Sequence, residues 1–273
     1  MTPAQLRVAA IQATSVAGDV EANVAAAVGW VKQAATTGAT LAVLPELYLP
    51  GYDPRTLREH PDACDVTAAD DRLAPLAGAA AACGVAVLVG ASVRDQQELR
   101  RLALVSVSTA GDVNLAYSKQ HLWDAERELF TPGTEGTSVQ LGEWQLGLGV
   151  CYDGCFPEHG RAAADAGAYA YVCPSAYVVG SEHRRDLYYA ARALDNGFYV
   201  VFAGLAGRCG EHEFSGGTAI YDPQGRRVAS VESLTGIAVA DLDIEVIAEA
   251  RRINPYDRDR PASLGGRTVL SLD

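Results

Sequence analysis

Short apolar runs closed by polar or glycine-containing stretches alternate along this chain with segments whose apolar positions recur every three or four residues. Residues 6–12 read as a first strand. Val20, Val24, Ala27, Val28 and Val31 then repeat at helical spacing to about Thr36, with Asp19 placed to cap that helix and Gly38 to stop it. Residues 41–44 form the second strand. The polar stretch 50–65, with three prolines, reads as a loop able to fold over a site. An alanine-rich helix starts at Asp70 or Asp71 and ends at Cys83-Gly84, followed by a third strand over 85–89. Next come a strand holding Leu102, Leu104 and Val107, a turn at Ala110-Gly111-Asp112, and a return strand over 113–117.

The second half repeats the alternation. Strands are expected over 145–150, 169–172 and 198–203, and helices over 157–166, opened by Pro157, and from Glu182 to Asp195. A hairpin joins 218–221 to 227–230 through Asp222-Pro223-Gln224-Gly225. A strand over 237–242 and a helix over 244–252 precede a polar, irregular tail, 254–273. Strands alternating with helices indicate an α/β fold, and the hairpins within it indicate mixed sheets. Nothing resembles a linker, so residues 1–273 are expected to form one domain.

Composition narrows the function classes. The formal net charge is −12, which argues against a nucleic-acid partner, since a general phosphate-backbone binder clusters Lys and Arg. The longest apolar candidate, 168–180, is interrupted by Pro174 and Ser175, short of a membrane helix. Residues 1–20 hold only the short run Val8 to Ile11, so no secretory leader is expected. The six cysteines are sparse for so long a chain, which points to a reduced, cytoplasmic protein rather than a disulfide framework. Cys151, Cys155 and His159 have a conceivable zinc spacing, but no second ligand pair stands elsewhere, so neither metal nor cofactor is expected.

Three strand ends carry chemistry. The run from Leu146 to Val150 ends in Cys151-Tyr152-Asp153-Gly154, a turn before the helix at Pro157, and so delivers a thiol to a sheet rim. Residues 41–44 end in Pro45-Glu46, and residues 113–117 end in Ser118-Lys119. A free thiol is mostly protonated at neutral pH and needs a base. Glu46, flanked by Leu44, Pro45 and Leu47, is expected to be partly desolvated, with its pKa raised toward the range useful for proton transfer. Lys119 could favour the thiolate and, with the backbone N–H of Tyr152, stabilise an oxyanion. The other reading of each residue is ordinary: buried packing for a cysteine, a solvated turn for the glutamate, an edge guard for the lysine. Cys64, Cys83, Cys173 and Cys209 are assigned to packing.

The three motifs together resemble the nitrilase, or carbon–nitrogen hydrolase, superfamily. They are Leu44-Pro45-Glu46-Leu47, Tyr117-Ser118-Lys119-Gln120-His121-Leu122-Trp123, and Gly149-Val150-Cys151-Tyr152-Asp153 with Phe156-Pro157-Glu158. Residues 126–133 and 191–201 agree further, and the similarity runs from Leu6 to about Pro261. The resemblance implies a four-layer α-β-β-α sandwich and hydrolysis of a non-peptide carbon–nitrogen bond without cofactor. It implies Glu46 as base, Lys119 as oxyanion stabiliser and Cys151 as nucleophile. Glu126 is preferred as a second glutamate because it stands four residues before Phe130, with Glu128 the competing assignment. It also implies a homodimer or higher homo-oligomer paired through the helices over 157–166 and 182–196, with the tail crossing to the partner.

Cys-Tyr-Asp at the nucleophile resembles the amidase branch, so a small-molecule amide and water are the expected reactants. An N-carbamoyl amine hydrolase, a nitrilase and a catalytically silent binding or scaffold protein are the alternatives, together with a Cys–His mechanism using His121 or His159. Tyr52, Trp123, Tyr152 and Tyr177 are the candidate pocket residues, aromatic walls that suit a small amide. Cys155 stands where many relatives carry a basic residue, which disfavours a carboxylate-bearing substrate. Glu182, Arg184 and Arg185 could read a charged substrate group, but at a helix start they read first as a cap and a solvated face.

Overall fold

The computed structural model describes residues 5–272; positions 1–4 of the expected leader-free start and Asp273 of the tail lie outside the described residues. The first half contains β1 (Leu6–Gln12), α1 (Val20–Thr36), β2 (Leu41–Val43), α2 (Pro54–Glu59), α3 (Pro61–Cys64), β3 (Asp65–Val66), α4 (Ala74–Cys83), β4 (Ala86–Arg94), β5 (Arg100–Val107), β6 (Val113–Ser118) and α5 (Glu126–Leu129). The second half contains β7 (Ser138–Leu141), β8 (Trp144–Leu148), α6 (Pro157–Asp165), β9 (Ala170–Val172), α7 (Glu182–Asn196), β10 (Tyr199–Phe202), β11 (Ala206–Cys209), β12 (His212–Ser215), β13 (Ala219–Tyr221), β14 (Arg227–Ser230), β15 (Gly236–Leu242), α8 (Ile244–Ile253) and α9 (Tyr256–Asp259).

Two mixed sheets carry the architecture. One has the order β15-β1-β2-β4-β5-β6, with β3 added beside β4; the other has β14-β13-β10-β9-β8-β7. Each has a parallel centre, β1-β2-β4 or β10-β9-β8, with antiparallel strands on either side of it; the two-residue β3 pairs with β4 in parallel. The parallel strands are buried on both faces: Ala9 to Ile11, Leu41 to Val43 and Ala170 to Val172 are almost wholly inaccessible. Helices α1 and α4 cover the first sheet and α6 and α7 the second, giving the α-β-β-α order. The sheets are tied at Gln12, whose side chain accepts from the N–H of Thr218 at 2.9 Å. The Thr218 hydroxyl in turn accepts from the N–H of Gly204 at 2.8 Å.

Local signals explain most boundaries. Asp19 caps α1 by accepting from the N–H of Ala22 at 2.9 Å, and Val20, Val24, Ala27 and Val31 form its buried face. Gly84, at φ +65°, ends α4 in the left-handed conformation. Three expectations need correction. The stretch 50–65 is not an open loop: it holds α2 and α3, each begun by a proline, with Asp53 accepting from the Thr56 N–H and hydroxyl. The helical turn α5, the edge strand β7 and the hairpin β11–β12 were absent from the expected order. The tail is not irregular throughout, since α9 forms one helical turn before an exposed coil.

Candidate active site

Glu46 leaves β2 in a segment folded hard against β4. The N–H of Gly90 donates to the Pro45 carbonyl at 3.0 Å, and the N–H of Leu49 donates to the Gly90 carbonyl at 3.0 Å. A side chain at position 90 would run into the backbone of Glu46 and Leu47, so only glycine lets this loop lie so close. Leu47 adopts φ +46°, which turns the chain immediately after the carboxylate.

Lys119 follows β6. Its N–H donates to the Leu102 carbonyl and its own carbonyl accepts from Gly133, both at 2.8 Å. Cys151 stands just past β8, at the first position of a 3₁₀ turn, Cys151–Cys155. It too is left-handed, at φ +46°, and its N–H donates to the Pro174 carbonyl at 3.0 Å. A strained residue between a buried strand and a helix holds its side chain at the strand's carboxyl end, where open α/β sheets bind ligands.

Glu46, Lys119 and Glu126 converge. Lys119 Nζ lies 2.6 Å from Glu46 Oε1 and 2.8 Å from each carboxylate oxygen of Glu126. Glu126 also accepts from the Tyr52 hydroxyl at 2.6 Å and from the N–H of Trp123 at 2.7 Å. Glu46 and Lys119 are fully buried and Glu126 almost so. Glu46 Oε2 is buried with no hydrogen-bond partner among the described residues. Glu128 points elsewhere: it is exposed and pairs with Arg58 on α2 at 2.9 Å.

Burial and the mixed charges set the protonation states. Burial pushes Glu46 up, the positive charge of Lys119 pulls it back, and the negative charge of Glu126 adds to the rise, leaving it at about 7. Burial pushes the Cys151 thiol well above its ordinary value, and the charge of Glu46 adds to that against the opposing pull of Lys119. Burial works against the Lys119 ammonium, but Glu126 and Glu46 outweigh it and hold its pKa well above the usual lysine range. The resting site is therefore a protonated thiol, a charged lysine between two carboxylates, and a glutamate poised near neutrality.

A cavity of about 90 Å³ opens on Cys151 and Glu126, and all four candidate pocket residues, Tyr52, Trp123, Tyr152 and Tyr177, line it. The family model for carbon–nitrogen hydrolases matches residues 7–252. A hydrolase of Pseudomonas protegens, described as lying in the pqqF 5′ region, is 32% identical over 232 residues, which cover 84% of this chain and 80% of that one. This chain belongs to the carbon–nitrogen hydrolase family. The omega-amidase NIT3 of Saccharomyces cerevisiae is 27% identical to this hydrolase over 94% of this chain and 93% of its own. A solved amidase from Nesterenkonia sp. AN1 superposes with a TM-score of 0.80 at 28% identity, over 93% of this chain and 99% of that one; its structure carries acrylamide added at the active-site cysteine.

Further residues of this carbon–nitrogen hydrolase reach the cavity that the sequence reading set aside. Cys155, Arg184 and Tyr188 line it as well. Arg184, read first as part of a solvated face, is exposed and lines the cavity, with Ser181 Oγ, at 3.4 Å, its one hydrogen-bond partner among the described residues. Arg185, its neighbour, turns away to Asp186, Ser215 and Gly216. His121 and His159 line a different cavity, on the flank of α6. With Asp153 they form the one close group of ligand-type side chains among the described residues, and it includes neither Cys151 nor Cys155. Both ring nitrogens of His159 are taken by tyrosine hydroxyls, Tyr117 at 2.9 Å and Tyr171 at 2.8 Å, so the group reads as a hydrogen-bond network and not as a metal site.

Proposed function

We propose that this carbon–nitrogen hydrolase is an amidase for small amides, with Cys151 as nucleophile, Glu46 as general base and acid, Lys119 as oxyanion stabiliser and Glu126 as the group that holds Lys119. The observation that carries the reading is a lysine clamped between two buried carboxylates beside a cysteine in a small, aromatic-walled cavity.

The chemistry follows from the geometry. Glu46 Oε2, without a hydrogen-bond partner among the described residues, takes the thiol proton as Sγ bonds to the amide carbon and the carbonyl π pair moves onto oxygen. Lys119 Nζ and the N–H of Tyr152 stabilise that oxyanion. Collapse breaks the carbon–nitrogen bond, and Glu46 returns the proton to the departing nitrogen, which leaves as ammonia or amine. A thioester on Cys151 remains. Water then gives one proton to Glu46 and its oxygen to the acyl carbon; the carboxylic acid leaves, and the thiol regains its proton. A glutamate at about 7 can do both halves of this work. Glu126 meanwhile holds Lys119 in place, with the Tyr52 hydroxyl and the N–H of Trp123 donating to its oxygens as well.

Pairing of subunits through α7 forms part of the same reading. Leu187 and Leu194, seven residues apart on that helix, are both exposed, as is Val179 just before it. Residence in a reducing cytoplasm is supported by six free cysteines. The reaction is tested by measuring ammonia and carbon dioxide release from a panel of simple amides, N-carbamoyl amines and nitriles. Ammonia from amides without carbon dioxide supports the amidase reading. Release of both from carbamoyl amines alone, or turnover of nitriles alone, overturns it.

A further inference from the structure

Two residues after the cysteine, the side chain of Asp153 is completely buried and accepts from four donors. The Tyr117 hydroxyl lies 2.8 Å from Oδ2, and the N–H of Val150 lies 3.0 Å from the same oxygen. The backbone N–H and Nδ1 of His121 lie 2.9 Å and 2.8 Å from Oδ1. The chain positions of these donors matter. Tyr117 stands two residues before Lys119 and His121 two residues after it. Val150 directly precedes Cys151, and Asp153 itself stands two residues beyond. One carboxylate therefore grips the lysine segment on both sides of Lys119 and ties it to both sides of the cysteine.

We propose that Asp153 is a positioning residue that sets Lys119 against Cys151. This inference rests on the roles proposed above for those two residues. Lys119 and Cys151 belong to different sheets: β6 is an edge strand of the first and β8 lies in the second. No strand pairing fixes one against the other, so side chains must. The left-handed conformation at Cys151 adds a local strain that something has to hold, and the bond from Val150 to Asp153 closes the turn around it.

The surroundings keep the grip charged and rigid. Burial pushes Asp153 up, but the hydrogen bond from His121, the charge of Lys119 and the N–H of Val150 work against it and its pKa lies below the usual carboxylate value. The Tyr117 hydroxyl is shared with His159 Nε2 at 2.9 Å, and His159 is braced from behind by Tyr171. Burial lowers the His159 pKa, with Asp153 opposing, which favours a neutral ring that can serve both tyrosines. The His121 ring is stacked on Phe156, with centroids 4.0 Å apart and planes at 17°. Every donor to Asp153 is thus itself held. The carboxylate touches no part of the cavity that would hold substrate, so its action passes through its neighbours.

The test uses Asp153→Asn, Tyr117→Phe, His121→Ala and His121→Asn in the full-length protein. Two readouts are normalised to the folded fraction: kcat and KM for a simple amide, and the second-order rate at which iodoacetamide alkylates Cys151. Misplacement of reacting groups by an ångström costs roughly 10²-fold in rate. Asp153→Asn is expected to lower kcat and the alkylation rate together by about 10- to 100-fold while KM stays within about threefold. Tyr117→Phe and His121→Ala are expected to lower both by a smaller factor. His121→Asn, whose amide can stand in for Nδ1–H, is expected to recover most of the loss.

A purely structural Asp153 would lower the melting temperature and leave both rates per folded molecule unchanged, and that result overturns the proposal. If Asp153→Asn does not fold, wild-type alkylation rates in both Tyr117→Phe and His121→Ala overturn it equally. Alkylation needs no turnover, so a wild-type protein that hydrolyses no amide would refute the reaction assigned above while the alkylation ratios still decide about Asp153.

Discussion

Lys119 Nζ and Glu46 Oε1 lie 2.6 Å apart with both side chains wholly buried, and a second carboxylate, Glu126, closes on the same nitrogen. One cation between two anions in a dry site carries a net negative charge. Burial raises Glu46 to about 7, with the charge of Glu126 adding to the rise against the pull of Lys119, which suits the role of base proposed for it at neutral pH. Below that value the base is protonated and idle. The predicted acidic limb of kcat/KM therefore rises through about pH 7, losing about tenfold per unit below it. A limb centred below pH 5 would contradict the assignment.

The same shift predicts how stability varies with pH. A carboxyl whose folded pKa is raised contributes fully below its unfolded value and loses that contribution as pH rises through about 7. Glu46→Gln removes the titration. Its melting temperature relative to wild type is expected to climb by roughly 5 °C between pH 5 and pH 8.5. A constant difference across that range would show that Glu46 ionises as it does in water.

Removing the cation should cost both rate and stability. Lys119→Met leaves two buried carboxylates with no counter-charge, and loss of one partner from a buried ion pair costs about 3–5 kcal/mol. Loss of an oxyanion donor costs roughly 10²–10³ in kcat. Both effects are expected, read by calorimetry and by turnover per folded molecule. Wild-type turnover in this variant would remove Lys119 from the reaction.

The two candidate glutamates separate cleanly by substitution. Glu126→Gln removes the charge that holds Lys119 and is expected to lower kcat by about 10²-fold or more. Glu128→Gln breaks only an exposed pair with Arg58 and should change kcat less than about twofold. Equal effects would reverse the preference for Glu126.

Arg184 supplies a prediction about substrate charge. It lines the cavity with no carboxylate partner among the described residues, in a chain whose formal net charge is −12. Arg184→Gln is expected to lower kcat/KM for the monoamide of a dicarboxylic acid by roughly three- to tenfold, with less than about twofold change for a neutral amide of equal length. Parallel changes would assign Arg184 to the surface, as the sequence suggested.

The strand ends were legible because the chemistry sits where an apolar run stops. Leu44-Pro45-Glu46 and Val150-Cys151 each pair a buried strand with an abrupt change of polarity, and both strands are present, ending at Val43 and Leu148, three residues before Glu46 and Cys151. Helix α1 announced itself through five apolar positions and a cap. Elements α2 and α3 did not, because four to six residues are too few to show a helical period. Strand β7 and the hairpin β11–β12 were hidden because their half-exposed positions break the alternation that marks a strand. Arg184 and Tyr188 reach the cavity only because α7 packs beside the nucleophile turn. The Asp153 network joins residues 32 and 36 positions apart across two sheets, a relation no local pattern carries.

The most direct test of the account is ammonia release from a simple aliphatic amide by wild type and by Cys151→Ala at matched folded concentration. Steady release by the wild type is expected, and none above background from the variant, with an unchanged fold by circular dichroism. Substantial hydrolysis by a folded Cys151→Ala protein would contradict it, because every other group of the site serves that one thiol.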